Sequence, residues 1–320
     1  MRRVFAWLTA VDACFWYRIK TPLEALARTG RWEVSWGAPG PDIHDYDVVI
    51  GQRLAGDSPE WLRLCEDPNV LTVYEMDDDL LHLDPENTVP YSIYAPIADK
   101  TEQLVRASDV VTVCTPYVYD RMRELNSNVH YLPICTTQEM IDLPLRTSAD
   151  RLTVGWGGSP FHHQDWIGLP EALAEYSRRV PRATFHVFGG NYTNGLLGNR
   201  LRVTGSQPLE SYYASLDLDI GLAPLLLSPS NRGKSHTKPL EYASRGIPVV
   251  ATNWGQYSDW VEDGKNGFLV NKDEDWVTYL EAMSDDTVRA TMSTAARESA
   301  QRYTIERHLH LWEKAFGGCL

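Results

Sequence analysis

The chain has 320 residues, of which 43% are hydrophobic and 23% charged, and its formal net charge is −13. This length is enough for two domains of usual size, and the composition is that of a globular rather than a disordered protein. The negative charge argues against general attraction to nucleic acid or anionic lipid, although it leaves room for a local basic groove. No apolar run approaches the ~18 residues of a membrane-spanning helix.

The first residues, MRRVFAWLTAVDACFW, superficially resemble a short signal peptide. Because Asp12 interrupts the apolar run early and no small-residue cleavage site follows, we interpret the segment as a buried first strand. The five cysteines are scattered and form no CxxC pair, which favours neither a zinc site nor a disulfide framework. We therefore expect reduced thiols in a cytoplasmic protein with no stable membrane span.

Short apolar runs alternate with amphipathic stretches in the first half of the chain. Strands are predicted at RVFAWLTAV, WEVSWG, YDVVIGQR, NVLTVYEM, VVTVCT and VHYLPI, and helices at TPLEALARTG, residues 95–107 and YVYDRMRELN. Strands that are apolar throughout and alternate with helices indicate a parallel sheet covered on both faces. The polar segment at residues 136–151 breaks this alternation and is interpreted as an interdomain linker.

The same alternation resumes directly after the predicted linker. Strands are predicted at LTVGWGG, ATFHVFGG, LRVTG, LDIGLAPL, IPVVAT and GFLV, and helices at LPEALAEYSRRV, PLESYYASLD, KPLEYASRG and two C-terminal stretches. The pattern predicts an α/β protein with two doubly wound parallel-sheet domains that face each other across a cleft. Ligands of such domains bind at the carboxyl ends of the strands.

The most informative segment is SPSNRGKSHTKPLEYASRGIPVVAT, residues 228–252. A polar loop leads into a helix with Pro239 in its first turn, where a missing N–H group costs nothing. The free N–H groups of such a helix start suit a diphosphate, to which Lys234 and Lys238 would add full charges. Glu241, one turn inside the helix, can accept both hydroxyls of a ribose. A capped surface helix with solvated lysines explains the same pattern equally well.

These residues resemble the signature of retaining GT-B glycosyltransferases (glycosyl transferases group 1), in which two glutamates eight positions apart precede a G-x-P-V-V-A strand. Glu241 matches the second glutamate, which holds the nucleotide ribose in that family. The first glutamate contacts the donor sugar and falls here on Gly233, so that the resemblance leaves the sugar open. A variant branch has K-S-x-x-K-x-x-E in this place, matched by Lys234, Ser235, Lys238 and Glu241. His236 and Thr237 lie within this motif and are assigned with Ser235 to the nucleotide-sugar site.

The first predicted strand of the second half leads into another glycine-rich loop. VGWGGSPFHHQD resembles the G-W-x-G-S-x-x-H-x-x-D loop of the same branch, with His162 and Asp165 at the matching places. We favour His162 as the donor-site histidine over its neighbour His163, although a capping or solvent-facing histidine is the alternative interpretation. VTGSQP, residues 203–208, resembles the turn whose backbone reads the nucleobase.

Four glycines are expected to border the donor. Gly157 and Gly158 directly follow a predicted strand, where missing side chains let a phosphate approach the backbone. Ser159 comes next in the same loop. Gly189 and Gly190 end a further predicted strand at the same sheet edge.

Three aspartates, Asp77, Asp78 and Asp79, follow the predicted strand NVLTVYEM in the first half. Adjacent carboxylates repel one another unless a cation or a hydroxyl-rich ligand is near. A metal-dependent GT-A transferase would use an Asp-x-Asp motif to hold Mn²⁺ or Mg²⁺, whereas in the resembled GT-B branch such a cluster lines the acceptor side without metal. A third interpretation is that Asp79 caps a helix. Because the donor signature lies in the C-terminal half, we prefer the metal-free interpretation and assign Asp77 and Asp78 to the acceptor side.

Two more features belong to the first predicted domain. Arg18, next to Tyr17, either steadies an anionic group or pairs with the aspartates. The C-terminal helix, near residues 305–316, resembles the GT-B tail that crosses back onto the first domain. The expected GT-B fold thus has an acceptor-side Rossmann-like domain at residues 1–140, with helix 303–318 packed on it, and a nucleotide-sugar domain at residues 150–302.

The resemblance implies transfer of a sugar from a nucleoside diphosphate sugar, UDP- or GDP-linked, to an acceptor hydroxyl. We expect metal-independent catalysis with retention, no bound cofactor, and catalytic roles for Lys234, Lys238, Asp77 and Asp78. Alternatives are an epimerase or phosphorylase of the same fold, a degenerate GT-B partner subunit that binds a nucleotide sugar or glycan, and a phage-type glucosyltransferase acting on hydroxymethylated DNA bases. The acceptor stays open among a glycan, lipid-linked glycan, protein, metabolite or modified DNA, and so does the oligomeric state.

Overall fold

The computed structural model describes residues 1–54, 58–144 and 151–317, which form two compact units. Unit 1 contains Met1–Thr137, the short segment Gly233–Ser235 and the chain from Thr304 onward. Unit 2 contains Gln138–Arg232 and His236–Tyr303. The predicted linker, residues 136–151, spans the point where the chain passes from unit 1 to unit 2, and its residues 145–150 lie outside the described ranges.

Unit 1 is built on six parallel strands in the order β2-β1-β3-β4-β5-β6. Their bounds are β1 (Arg2–Trp7), β2 (Trp32–Gly37), β3 (Val48–Gln52), β4 (Leu71–Met76), β5 (Val110–Val113) and β6 (Val129–Tyr131). Val4 of β1 lies opposite Val34 on one side and Val48 on the other. Strands β3 and β5 are buried along their whole length, which is why their sequences are almost continuously apolar.

The helices of unit 1 differ from the predicted ones mainly by additions. They are α1 (Ala13–Phe15), a π-helix (Trp16–Lys20), α2 (Thr21–Arg28), α3 (Pro59–Cys65), α4 (Thr88–Tyr94), α5 (Ala98–Ala107) and α6 (Pro116–Met122). The first strand was predicted to reach residue 11, but it ends at Trp7 because Asp12 caps α1 by accepting a hydrogen bond from the Phe15 N–H. The hydroxyl of Thr115 caps α6 in the same way.

Unit 2 repeats the design with strands in the order β12-β11-β10-β7-β8-β9, all parallel. Their bounds are β7 (Leu152–Gly158), β8 (Ala183–Gly189), β9 (Leu201–Thr204), β10 (Ile220–Ala223), β11 (Val249–Thr252) and β12 (Gly267–Val270). Strands β7 and β8 pair along their full length, so that Gly158 lies opposite Gly189 at their carboxyl ends.

The remaining helices are α7 (Gln138–Asp142), α8 (Leu169–Arg179), α9 (Leu209–Ser215), α10 (Thr237–Ser244), α11 (Gln256–Trp260), α12 (Asp273–Met283), α13 (Asp286–Gln301) and α14 (Ile305–Ala315). Three longer helices, α12 to α14, follow β12 where the sequence suggested two. A two-residue break separates α12 from α13, and the Asp285 carboxylate caps α13 there.

Each unit has its own hydrophobic core. In unit 1, Ile305 and Trp312 of α14 pack with Leu23 and Leu26 of α2. In unit 2, large side chains such as Trp156 and Trp276 fill the space between sheet and helices. Over residues 1–54, 58–144 and 151–317, no helix combines the length and the hydropathy needed to cross a membrane.

Candidate functional site

Helix α10 of unit 2 carries a buried ionic cluster. The Glu241 side chain is only 1% exposed, and its Oε2 accepts hydrogen bonds from Lys238 Nζ at 2.7 Å and from the Tyr212 hydroxyl at 3.2 Å. The spacing of three residues places Lys238 and Glu241 on the same helix face. Burial and the Glu241 carboxylate raise the pKa of Tyr212 well above its usual value. The phenol therefore keeps its proton and donates a hydrogen bond to Glu241. Two predicted site residues, Lys238 and Glu241, are thus in direct contact.

Gly157, at the carboxyl end of β7, lies against the same cluster. Its N–H group donates to the Tyr242 hydroxyl at 3.2 Å, and a Cβ at this position would lie 2.6 Å from Cε2 of Tyr212. A Cβ at Gly158 would lie 2.6 Å from Cη2 of Trp156. Aromatic packing within unit 2 therefore requires both glycines, and their contact with a phosphate stays a prediction.

The other predicted glycines continue this edge of the sheet. The N–H group of Gly190 donates to the Gly158 carbonyl at 3.1 Å, and Gly189 has a φ of 88°, which favours glycine. Ser159 is exposed, and its carbonyl accepts from the Tyr192 hydroxyl at 3.3 Å. The ends of β7 and β8 thus form one glycine-rich edge.

His162 belongs to a second network in unit 2. Its Nδ1 lies 2.7 Å from Oδ2 of Asp165, whose Oδ1 accepts from the Leu226 N–H and from Nδ2 of Asn231, both at 2.8 Å. A carboxylate beside Nδ1 favours a proton on that nitrogen and leaves Nε2 as the second functional atom of the ring. His163 is exposed and packs edge-on against Tyr192. Of the two histidines, His162 is the one held in a defined orientation by a carboxylate.

His236 is buried and packs inside unit 2. Its Nδ1 lies 3.0 Å from Oε1 of Gln256, and its ring stacks on Trp260 at an interplanar angle of 11°. Ser235 and Thr237, on either side, are half-buried. The packing gives the His236 side chain a structural role, and the assignment of these three residues to a donor site stays a prediction.

Each of the three adjacent aspartates of unit 1 has a cationic partner. This arrangement explains how three neighbouring carboxylates are tolerated, since each opposite charge offsets the repulsion. The ion pairs are Asp77 Oδ1 with Arg53 Nε at 3.2 Å, Asp78 Oδ2 with Lys234 Nζ at 2.7 Å, and Asp79 Oδ2 with Arg121 Nε at 2.9 Å. In the three described ranges of the chain, no three His, Cys, Asp or Glu side chains are arranged to hold a metal ion.

Asp79 stabilises a turn. Its Oδ1 accepts the N–H groups of Leu81 and His82, both at 3.2 Å, and lies 2.9 Å from His82 Nδ1. The next helix, α4, starts only at Thr88. The interpretation that Asp79 caps a helix is therefore wrong, because its carboxylate closes a local turn instead.

Gly233 and Lys234 pack with unit 1 rather than with unit 2. By the sequence resemblance, Gly233 stands at the place of the first glutamate of the GT-B signature, and this alignment stays a prediction. A Cβ at Gly233 would lie 3.2 Å from Val118 Cγ2 and 3.4 Å from Tyr117 Cδ1. Helix α6 thus approaches the Gly233 backbone more closely than most side chains tolerate.

Arg18 has a different partner from either of those considered from the sequence. Its Nε and Nη2 contact the two carboxylate oxygens of Glu75 at 2.6 and 2.9 Å, and its Nη1 donates to the Leu132 carbonyl. Burial alone would lower the pKa of Arg18, but the ion pair with Glu75 outweighs it and raises the pKa above its usual value. Arg18 therefore neither pairs with the three aspartates nor steadies an external anion.

Several residues of these clusters were not singled out from the sequence, among them Tyr212, Asn231 and Arg53. Of these three, only Arg53 offered a usable signal in the sequence. It directly follows the buried strand β3, whose carboxyl end meets the same sheet edge as that of β4.

Residues 154–286 match the family described as "Glycosyl transferases group 1". Among proteins of similar sequence, the D-inositol 3-phosphate glycosyltransferase of Arthrobacter sp. (strain FB24) is 38% identical over 88 residues. The match covers 27% of this chain and 21% of that protein, so the chain spans about a fifth of the length of this relative.

Two solved structures resemble this chain along its length. Sucrose-phosphate synthase from Thermosynechococcus elongatus has a TM-score of 0.71 at 15% identity, covering 99% of this chain and 100% of its own. HepE from Anabaena, in complex with UDP and glucose, has a TM-score of 0.69 at 16% identity with the same coverage. These similarities and the two six-stranded parallel sheets confirm the predicted fold class. The chain has the GT-B fold of glycosyltransferase structures, and its residues 154–286 match the glycosyl transferases group 1 family.

Proposed function

We propose that this protein is a glycosyltransferase that moves a sugar from a nucleoside diphosphate sugar to an acceptor hydroxyl. The observation that carries the proposal is Glu241, a buried carboxylate held by Lys238 and Tyr212 inside the segment that matches the family. Buried charges are costly and are commonly retained where they bind a ligand. The name of the Arthrobacter relative, a glycosyltransferase, supports the same reaction class.

In this proposal the donor binds to unit 2. Glu241 accepts the ribose hydroxyls, Lys238 contacts the diphosphate, and the free N–H groups at the start of α10 add to the attraction. Gly157, Gly158, Ser159, Gly189 and Gly190 border the donor, and His162 presents Nε2 to it. Ser235, His236 and Thr237 complete the motif. A UDP-sugar is the favoured donor, because the similar HepE structure holds UDP.

The chemistry is an exchange of one bond for another at the anomeric carbon. The acceptor oxygen forms a bond to the anomeric carbon while the bond between that carbon and the β-phosphate oxygen breaks. The proton of the acceptor hydroxyl passes to the leaving diphosphate. Attack on the same face as the leaving group retains the configuration. Lys238 of unit 2 offsets the charge that develops on the diphosphate, without a metal ion. Asp77 and Asp78 contact the acceptor.

The test compares UDP binding by the wild type, Glu241→Gln, Lys238→Met and the control Glu274→Gln, which alters an exposed glutamate of α12. Loss of one hydrogen bond to a charged group costs ~1.5–3 kcal/mol. We therefore expect UDP affinity, measured by calorimetry, to fall about tenfold to a hundredfold in the first two variants only. Turnover of a panel of UDP- and GDP-sugars should fall with it. Unchanged UDP affinity in both site variants, with their thermal stability intact, would refute this site.

A further inference from the structure

Among the residues that the structure describes, three arginines are buried: Arg18, Arg245 and Arg289. Arg18 pairs with Glu75, and Arg289 Nη2 lies 2.7 Å from Oδ1 of Asp286. Arg245, at the C-terminal end of α10, is only 9% exposed and has no carboxylate partner in the described ranges. A buried guanidinium is ordinarily paired with a carboxylate, and Arg245 departs from this rule among the described residues.

The hydrogen bonds of Arg245 are incomplete. Its Nη2 donates to the Pro144 carbonyl at 2.8 Å. Its Nε and Nη1 are buried and find no acceptor within residues 1–54, 58–144 and 151–317. A buried donor without a partner loses its bond to water and gains nothing in return.

Arg297 of α13 is a second cation with the same deficit. Its Nη2 donates to the Ile141 carbonyl, and its Nη1 is buried without an acceptor in the described part of the chain. Ile141 and Pro144 are three residues apart, so the two guanidinium groups hold one short segment. Burial, and after it the nearby charge of Arg297, lower the pKa of Arg245 below its usual value.

We propose that Arg245 and Arg297 form a binding site in unit 2 for a small oxyanion of the phosphate type. A phosphate offers several acceptor oxygens to the three nitrogens that have no acceptor among the described residues, and its negative charge offsets the repulsion between the arginines. Arg245 lies four residues beyond Glu241, ~6 Å along the helix axis. Arg245 and Arg297 donate to the Pro144 and Ile141 carbonyls rather than to the Lys238–Glu241 cluster, and the proposal does not depend on the proposed function.

The test measures the melting temperature of the whole protein as inorganic phosphate is added, with sodium chloride keeping the ionic strength constant. A ligand that binds the native state raises this temperature with its concentration. The variants are Arg245→Met and Arg297→Met, with Arg178→Met, an exposed arginine of α8, as the control. We expect phosphate to stabilise the wild type and the control, and its affinity to fall at least tenfold in both site variants.

Two comparisons locate the effect. Lys238→Met should keep the part of the phosphate response that Arg245 and Arg297 provide, since neither arginine contacts Lys238 through its hydrogen bonds. Acetate at the same ionic strength should give no response. The proposal fails if phosphate leaves the wild type unchanged, if Arg245→Met and Arg297→Met respond like the wild type, if Lys238→Met abolishes the response, or if acetate reproduces it.

Discussion

Arg18 and Glu75 lie in the π-helix and in β4 of unit 1, and they form a two-pronged ion pair with almost no exposure to solvent. The net contribution of such a pair to stability is smaller than its Coulomb attraction, because removing both charges from water is costly. Removing one partner is different, since it leaves the other charge buried and uncompensated. Each residue of the pair is therefore needed as long as the other is present in the interior of unit 1.

Glu75→Gln should lower the free energy of unfolding by about 3–5 kcal/mol, because it strands the Arg18 guanidinium. The double variant Arg18→Met/Glu75→Leu should recover most of this loss. Urea denaturation followed by circular dichroism measures both effects. The control is Glu102→Gln, which breaks the exposed pair with Arg106 on α5 and should cost less than about 0.5 kcal/mol. Equal losses for the buried and the exposed glutamate would contradict the expectation.

Gly157 links the packing of unit 2 to its proposed donor site. A methyl group at this position would press on the buried Tyr212 ring, which also holds Glu241. Gly157→Ala should cost about 1–3 kcal/mol of stability through overpacking and weaken UDP binding. Gly205→Ala, where a Cβ meets open space, is the matched control for packing and should leave the stability unchanged. Wild-type UDP affinity in Gly157→Ala would separate Tyr212 from the donor site.

At the scale of elements, a polar cluster ties the edge strand β9 to unit 2. His186 of β8 places Nδ1 2.5 Å from Asp217 Oδ1 and Nε2 2.8 Å from Thr204 Oγ1. Arg202 of β9 also pairs with Asp217. Burial by itself would raise the pKa of Asp217, but the hydrogen bonds from His186 and Arg202 outweigh it and lower the pKa to about 2.

Because this pKa is lower in the folded than in the unfolded chain, Asp217 stabilises the fold above pH ~4, and the contribution disappears as the pH falls towards 2. Allowing for solvent screening at this partly exposed site, Asp217→Asn should cost about 1 kcal/mol at pH 6. The difference from the wild type should vanish near pH 2. Urea unfolding at pH 6, 4 and 2.5 measures it, with Asp120→Asn on α6 as an exposed control. A difference that is constant over this range would contradict the titration of Asp217.

At the scale of the whole molecule, we propose that sugar transfer needs no metal ion. Asp77, Asp78 and Asp79, the residues that most resemble a metal-binding motif, each contact a cationic side chain instead. Treatment with EDTA should therefore leave the rate of sugar transfer within about twofold of the untreated enzyme, since in the proposal Lys238 supplies the positive charge at the diphosphate. A rate that collapses in EDTA and returns with Mn²⁺ or Mg²⁺ would instead support a metal-dependent enzyme.

The local features of the fold were predictable because their causes lie within a few residues. The predicted strands WEVSWG and LTVGWGG have the observed bounds of β2 and β7, as each apolar run ends at glycine. Helix α4 was missed, because none of its residues is buried and it therefore shows no apolar stripe. Lys238 and Glu241 were correctly placed on one helix, since their spacing alone brings them together.

Contacts between residues that are far apart in the chain could not be predicted from the sequence. Tyr212 reaches Glu241 across 29 residues, Arg18 reaches Glu75 across 57, and Asn231 reaches Asp165 across 66. A charged or hydroxyl side chain can bind many different partners, and the neighbouring residues in the sequence do not determine which one it binds. Strand order and helix packing determine the partner.

By itself the sequence determined the alternation of strands and helices, the glycine-rich ends of β7 and β8, and the charged face of α10. These follow from local hydrophobic period, turn chemistry and helix spacing. Only the tertiary structure decided that Tyr212 completes the Glu241 cluster, that Arg18 pairs with Glu75, and that buried nitrogens of Arg245 and Arg297 have no acceptor in the described part of the chain. The physical reason is that a buried charge costs free energy unless it is paired. Which partner lies within reach depends on how the whole chain folds.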